Sequence, residues 1–84
     1  MGLDTAELVI ELERRFHLDI PDQEILRIET VGELHRWLCT VLNSSDWTEE
    51  AVWTELREVV LHHFDVEPEK VSEETSFIRD LGAS

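Results

Sequence analysis

The chain is poor in positive charge, in cysteine and in long apolar stretches, and each shortage removes a class of function. Seven lysines and arginines stand against 20 aspartates and glutamates in 84 residues, a formal net charge of -13. Such a chain repels nucleic acid and anionic membrane surfaces, so a basic protein surface is its natural complement. Cys39 is the single cysteine; no intrachain disulfide can form, which points to a reducing, cytoplasmic setting. No apolar run approaches the roughly 18–20 residues of a membrane span, and no positively charged stretch followed by an apolar one marks a signal peptide. Met1-Gly2 opens like a myristoylation motif, but Ala6 stands where that motif asks for serine or threonine. A chain of this length forms one small domain burying roughly 60–65% of its unfolded surface, too little for a large catalytic cleft.

What is present is helical periodicity. Leu8, Leu12 and Phe16, with Val9 beside them, form the apolar stripe of a helix over about residues 5–17. Asp4 or Thr5 is placed to cap it, with Glu7 answering Asp4, and Leu18-Asp19-Ile20-Pro21 is expected to end it, because the residue before proline avoids helical angles. Asp22-Gln23-Glu24 offers a cap to a short segment, Ile25-Leu26-Arg27-Ile28. Thr30-Val31-Gly32-Glu33 is a capping box. The third helix it opens puts Val31, Leu34, Leu38, Val41 and Leu42 on one face, with Trp37 adjoining, and should end near Leu42. After the polar connector Asn43-Ser44-Ser45-Asp46, either Asp46 or Thr48 can cap the longest helix, which runs to about Phe64 with Val52, Leu56, Val59, Val60 and Phe64 inward and Trp53 beside them. A turn-rich loop anchored by Val66 and Val71 follows, then a short segment whose Phe77 and Ile78 should pack on the helices. No alternating run competes for a sheet and no internal repeat is present. The fold class is therefore all-α: one domain over residues 1–84, a small four-helix bundle of antiparallel helices joined by short loops.

Candidate chemistry is sparse. No Ser–His–Asp set or paired carboxylates can be placed by spacing, so the chain reads as no enzyme. His62 and His63 are adjacent on a helix and point roughly 100° apart, Glu58 and His62 make a surface pair, and His17 and His35 stand alone, so no metal site is expected. Asp65-x-Glu67-x-Glu69 has Lys70 where a calcium loop needs glycine. Cys39 reads as a small core or half-core hydrophobe rather than a nucleophile. Trp37, Trp47 and Trp53 read as core or rim aromatics. Asp4, Glu7, Glu11 and Glu13 share the first helix; by residue type alone they are equally a solvated face or a docking face.

The two ends of the chain look like one loop that has been cut. Set ahead of Leu3-Asp4-Thr5-Ala6-Glu7-Leu8-Val9, the C-terminal Asp80-Leu81-Gly82-Ala83-Ser84 resembles the pattern D-L-G-x-D-S-L-D-T-x-E-L-V of the acyl carrier protein family. Residues 1–42 are similar to that family's second to fourth helices, through Asp19-Ile20-Pro21-Asp22 and Thr30-Val31-Gly32-Glu33 as well. Residues 43–47 form a connector. Residues 48–84 are similar to the family's first helix and long loop, through Val66-Glu67-Pro68-Glu69-Lys70-Val71 and Thr75-Ser76-Phe77-Ile78-Arg79-Asp80-Leu81-Gly82.

The halves stand in swapped order, which implies a circular permutation with its ends at the loop that carries the prosthetic group, engineered more readily than natural. The alternative is a piece of a tandem array that completes itself as a domain-swapped dimer; permutation is tolerated best at exposed loops, which favours the permuted monomer. The family's serine carries 4′-phosphopantetheine at the start of a helix, where backbone amides and the helix dipole favour a phosphodiester. In ungapped register Ser84 falls at the family's aspartate and Gly2 at its serine. With one residue lost at the cut, Ser84 is the attachment residue; otherwise it is a frayed end. The resemblance implies a carrier of acyl groups as thioesters, in fatty acid or polyketide-type synthesis. Its partners would be a phosphopantetheinyl transferase and acyl-transferring synthase enzymes whose basic patches meet Asp4, Glu7, Glu11 and Glu13. Arg14 and Arg15 depart from the acidic pattern of the family. The other class left open is an adaptor or purely structural module without a prosthetic group.

Overall fold

The computed structural model describes residues 3–43, 46–64, 66–77 and 79–81, with side chains from residue 6 onward. Among the described residues four α-helices follow one another: α1 (Leu3–Phe16), α2 (Asp22–Arg27), α3 (Val31–Val41) and α4 (Glu49–His63), with a 3-10 turn at Pro68–Lys70. Among the described residues there is no strand, only an isolated antiparallel bridge between Thr30 and Ser76.

The stripe of α1 is buried as its spacing demands: Leu8, Leu12 and Phe16 are each no more than 3% exposed. Its ends differ from expectation. The helix already begins at Leu3, so Asp4 and Thr5 lie in its first turn instead of capping it. It stops before Pro21 can act, because His17 takes a left-handed conformation (φ 53). The Leu18 amide then reaches back to the Glu13 carbonyl at 3.2 Å, the six-to-one bond that closes a helix with a left-handed residue. The Glu13 carboxylate accepts from the Ile20 amide at 2.9 Å and ties down the loop that follows.

Helix α2 starts earlier than expected, with Pro21 at the cap position and no side-chain cap bond; Asp22 and Glu24 occupy its first turn instead. None of its residues is fully buried, so it leans on the core through partly buried Ile25, with Ile28 just beyond its end. The capping box of α3 is complete: the Glu33 amide donates to Thr30 Oγ1 at 3.1 Å and Glu33 Oε1 accepts from the Thr30 amide at 3.1 Å. Val31, Leu34, Leu38 and Leu42 are buried as expected, but Val41 is 43% exposed and lies off the core face. In α4 the cap is Thr48, accepting from the Ala51 amide at 3.1 Å, rather than Asp46. Val52, Leu56, Val59, Val60 and Phe64 are all buried.

Helix α4 is the central post, since α1 and α3 both pack on it. Helices α1 and α4 run antiparallel, because Glu7 lies beside His63 at one end and Arg15 beside Glu55 and Glu58 at the other. Each large side chain sealed in this core contributes roughly 1.5–3 kcal/mol by leaving water. Phe16 and Trp47 close one end, with ring centroids 4.7 Å apart. Trp37, Trp47 and Trp53 are half-buried rim aromatics packed against the core.

Beyond α4, residues 66–77 and 79–81 form a strap laid over the N-terminus of α3. Val71 and Phe77 are its buried anchors, and Val66 packs half-buried beside them; Ile78, paired with Phe77 in the sequence reading, lies outside the described residues. Thr75 and Ser76 are each 5% exposed. Thr75 Oγ1 gives its proton to the Lys70 carbonyl and accepts from the Ser72 amide, so the buried hydroxyl is satisfied. The strap in turn completes α3, whose first amides have no partner inside the helix: Val31 donates to the Thr75 carbonyl at 2.9 Å and Gly32 to the Glu73 carbonyl at 3.0 Å. Gly32 must be glycine for this approach, since a Cβ there would stand 2.7 Å from the Glu73 oxygen. No described helix is long and apolar enough to cross a membrane.

Candidate functional site

Two regions carry the sequence expectations: the acidic residues of α1 and the turn that leads into residues 82–84. On α1, the backbone of Asp4 lies in the first turn. Glu7 is exposed, with its carboxylate 4.0 Å from Nδ1 of His63. Glu11, one turn on, accepts from Nε of Arg15 at 2.7 Å, and Arg15 also pairs with Glu55 and lies 3.9 Å from Glu58. The hydrogen bond from Arg15 holds the Glu11 carboxyl below the ordinary carboxylate range, and those from Glu11 and Glu55 push the guanidinium up. Glu13 is turned away from both, toward the Ile20 amide. Glu7 and Glu11 are thus brought together along the α1–α4 seam, while Glu13 secures a loop.

The α1 surface away from these pairs has a different character, which residue types alone did not single out. Ile10 is 48% exposed, and Arg14 and His17 are exposed beside it. With Glu13, Leu18 and Asp19 they line a shallow surface groove of about 360 Å³. One sequence signal was available: Ile10 is apolar yet falls off the stripe of Leu8, Leu12 and Phe16.

Ser84, the candidate attachment residue, and Gly2 lie outside the described residues, so no cradle for a prosthetic group can be tested around them. What can be described is the turn that leads there. The Ser76 hydroxyl accepts from the Arg79 amide at 3.2 Å, Asp80 Oδ2 accepts from the Ser76 amide at 2.7 Å, and the Ser76 carbonyl accepts from the amides of Asp80 and Leu81. This is a reciprocal cap built on a buried serine. The Phe77 amide fastens the turn to the Glu29 carbonyl at 3.0 Å, and Leu81 packs half-buried on the core. Ser76 and Asp80 hold this turn by side-chain bonds that the sequence expectations did not include, although a serine four residues before an aspartate was a visible signal.

The remaining candidates are accounted for locally. Cys39 lies 3.4 Å from His35 Nε2, which is also 2.9 Å from the Glu49 carbonyl oxygen. Burial first, and Glu49 second, push the Cys39 thiol up, away from a reactive thiolate. His62 and His63 meet edge to face, ring centroids 5.1 Å apart. Among the described residues no three histidines, cysteines or carboxylates gather to hold a metal ion.

Against this geometry the chain can be set beside known proteins. Over 39 residues it is 47% identical to a protein of Wolinella succinogenes named "Acyl carrier protein", covering 46% of this chain and 51% of that one. That stretch is acyl carrier protein-like. The chain spans about half the length of this curated relative, whose name is that of a carrier rather than of an enzyme. No family model matches, and no solved structure does. The all-α architecture is compatible with an acyl carrier protein-like fold.

Proposed function

We propose that the chain is a non-catalytic acyl carrier module, bearing 4′-phosphopantetheine on Ser84 and serving fatty acid or polyketide-type synthesis with its two halves in circularly permuted order. The observation that supports this most is the 47% identity to an acyl carrier protein over 39 residues, in a chain whose described part is helical. The permuted order is supported by the strap. Residues 75–77 are hydrogen-bonded to residues 29–31, so the segment that leads to Ser84 is anchored on the bundle and not trailing from it. When bound, the prosthetic group supplies the thiol that holds an acyl chain as a thioester. The chain's own part is to present the hydroxyl and the surfaces that partner enzymes grip. Asp4, Glu7 and Glu11 would meet basic patches on a phosphopantetheinyl transferase and on synthase enzymes, chiefly steering encounter and orientation, and Glu13 would act indirectly by holding the 18–20 loop.

The test is intact-mass spectrometry after incubation with coenzyme A, magnesium and a broad-specificity phosphopantetheinyl transferase, followed by peptide mapping. A gain of one phosphopantetheine within the peptide ending at Ser84 is expected. A folded helical chain that gains no mass would instead be an adaptor or structural module without the group.

A further inference from the structure

A second surface, away from the α1 acids, has the composition of a receptor for a cation. Trp53 on α4 and the strap residues Val71, Ser72, Glu73 and Glu74 line a groove of about 490 Å³. Trp53 is half-buried, Val71 is buried, and Glu73 and Glu74 are exposed. No basic side chain lines this groove, and neither glutamate has an ion pair among the described residues. Arg57, one turn along α4 from Trp53, already donates to the Pro68 carbonyl. Arg36 lines an adjoining groove that shares Glu73 and Glu74, together with Thr30, Gly32 and Glu33, and forms no ion pair with either among the described residues.

Both walls are fixed before any ligand arrives. The Trp53 ring is held edge to face by His35, centroids 5.3 Å apart. The strap is held by the Gly32 amide on the Glu73 carbonyl and by the bonds of Thr75 Oγ1 to Ser72 and Lys70. Preset walls reduce the ordering cost of binding. An indole beside two carboxylates without ion pairs suits a planar cation, which gains attraction to the ring and charge-assisted hydrogen bonds to the acids while its methylene stem covers apolar surface. The net charge of -13 raises the local concentration of such groups.

We propose that this groove docks an arginine side chain of a basic partner protein. The contact is independent of the serine site, since it needs only the strap and α4.

The test is a titration of the isotope-labelled chain, followed by amide and indole NMR signals, with a blocked Ala-Arg-Ala-Arg-Ala peptide and its citrulline counterpart at low salt. The Trp53 indole and the amides of residues 71–74 should move with the arginine peptide and stay still with the neutral one. E73Q/E74Q should weaken binding by about 2- to 5-fold or more, as loss of contacts of this kind does. D22N/E24Q, an equal charge change on α2, should leave the Trp53 response in place. A chain whose Trp53 indole does not respond, or one weakened equally by both double substitutions, overturns the proposal. Replacing arginine by lysine should lower affinity, because the ammonium has no planar fork; equal affinity would overturn the choice of arginine.

Discussion

The α1–α4 seam and the strap on α3 hold the same small molecule together by different means. The seam is a dry interface of periodic side chains: Leu8, Leu12 and Phe16 on one helix, Leu56, Val59 and Val60 on the other, bordered by the Arg15 pairs. Its strength is apolar area, which any well-shaped aliphatic side chain can supply. Among its described apolar side chains the strap fully buries only Val71 and Phe77, and it depends on named atoms meeting: Val31 and Gly32 amides on strap carbonyls, the Thr75 hydroxyl within the strap, and Ser76 closing the final turn. The seam therefore sets whether the chain folds. The strap sets where Asp80 and Leu81 are presented.

That contrast is broken most severely by Leu56→Ala. Leu56 is wholly buried, so truncation should cost about 2–5 kcal/mol. In a domain this small, urea unfolding should show the midpoint collapse, and strap and helices should lose amide protection together. A smaller effect is expected from Gly32→Ala, whose methyl group meets backbone rather than a yielding side chain. The cost should be about 1–3 kcal/mol, and hydrogen exchange should accelerate across residues 71–77 while α1 and α4 stay protected. Uniform acceleration would mean that strap and seam are not separable. Next comes Thr30→Ala, which removes the cap of α3 and should cost about 0.5–2 kcal/mol in thermal unfolding.

The smallest expected effect is electrostatic. Glu11 titrates below its ordinary value of 4.5 because of Arg15. The unfolded chain therefore binds more protons in that acidic window, and the contribution of Glu11, present at higher pH, is lost as pH falls through the folded-state value. Urea midpoints measured from neutral pH into that window should fall more steeply for the parent chain than for Arg15→Gln. Parallel curves would show that the exposed pairs contribute nothing measurable.

The seam was legible in the sequence and the strap largely was not, for a physical reason. A helix writes its buried face at a spacing of three and four, so the inward residues of α1, α3 and α4 could be named, and the Thr30–Glu33 capping box is a local rule obeyed locally. Val41 misled because it sits at the end of its helix, where an apolar residue need not face inward. The end of α1 misled because proline was the visible breaker, while the turn was made earlier by His17 in a left-handed conformation, which is uncommon outside glycine even though histidine takes it more readily than most residues. The strap pairs residues more than 40 positions apart, such as Gly32 with Glu73, and no local pattern encodes such a pair. The same limit applied to the candidate site. The acids of α1 could be listed, but their division between the seam and the 18–20 loop depended on where α4 and Ile20 would stand.

Whether Ser84 is the attachment residue is tested most directly by comparing the parent chain with Ser84→Ala after transferase treatment. One phosphopantetheine is expected on the parent and none on the variant, with both equally helical and equally stable. No addition to the parent, or the same addition to both chains, would contradict Ser84 as the point at which this module carries its cargo.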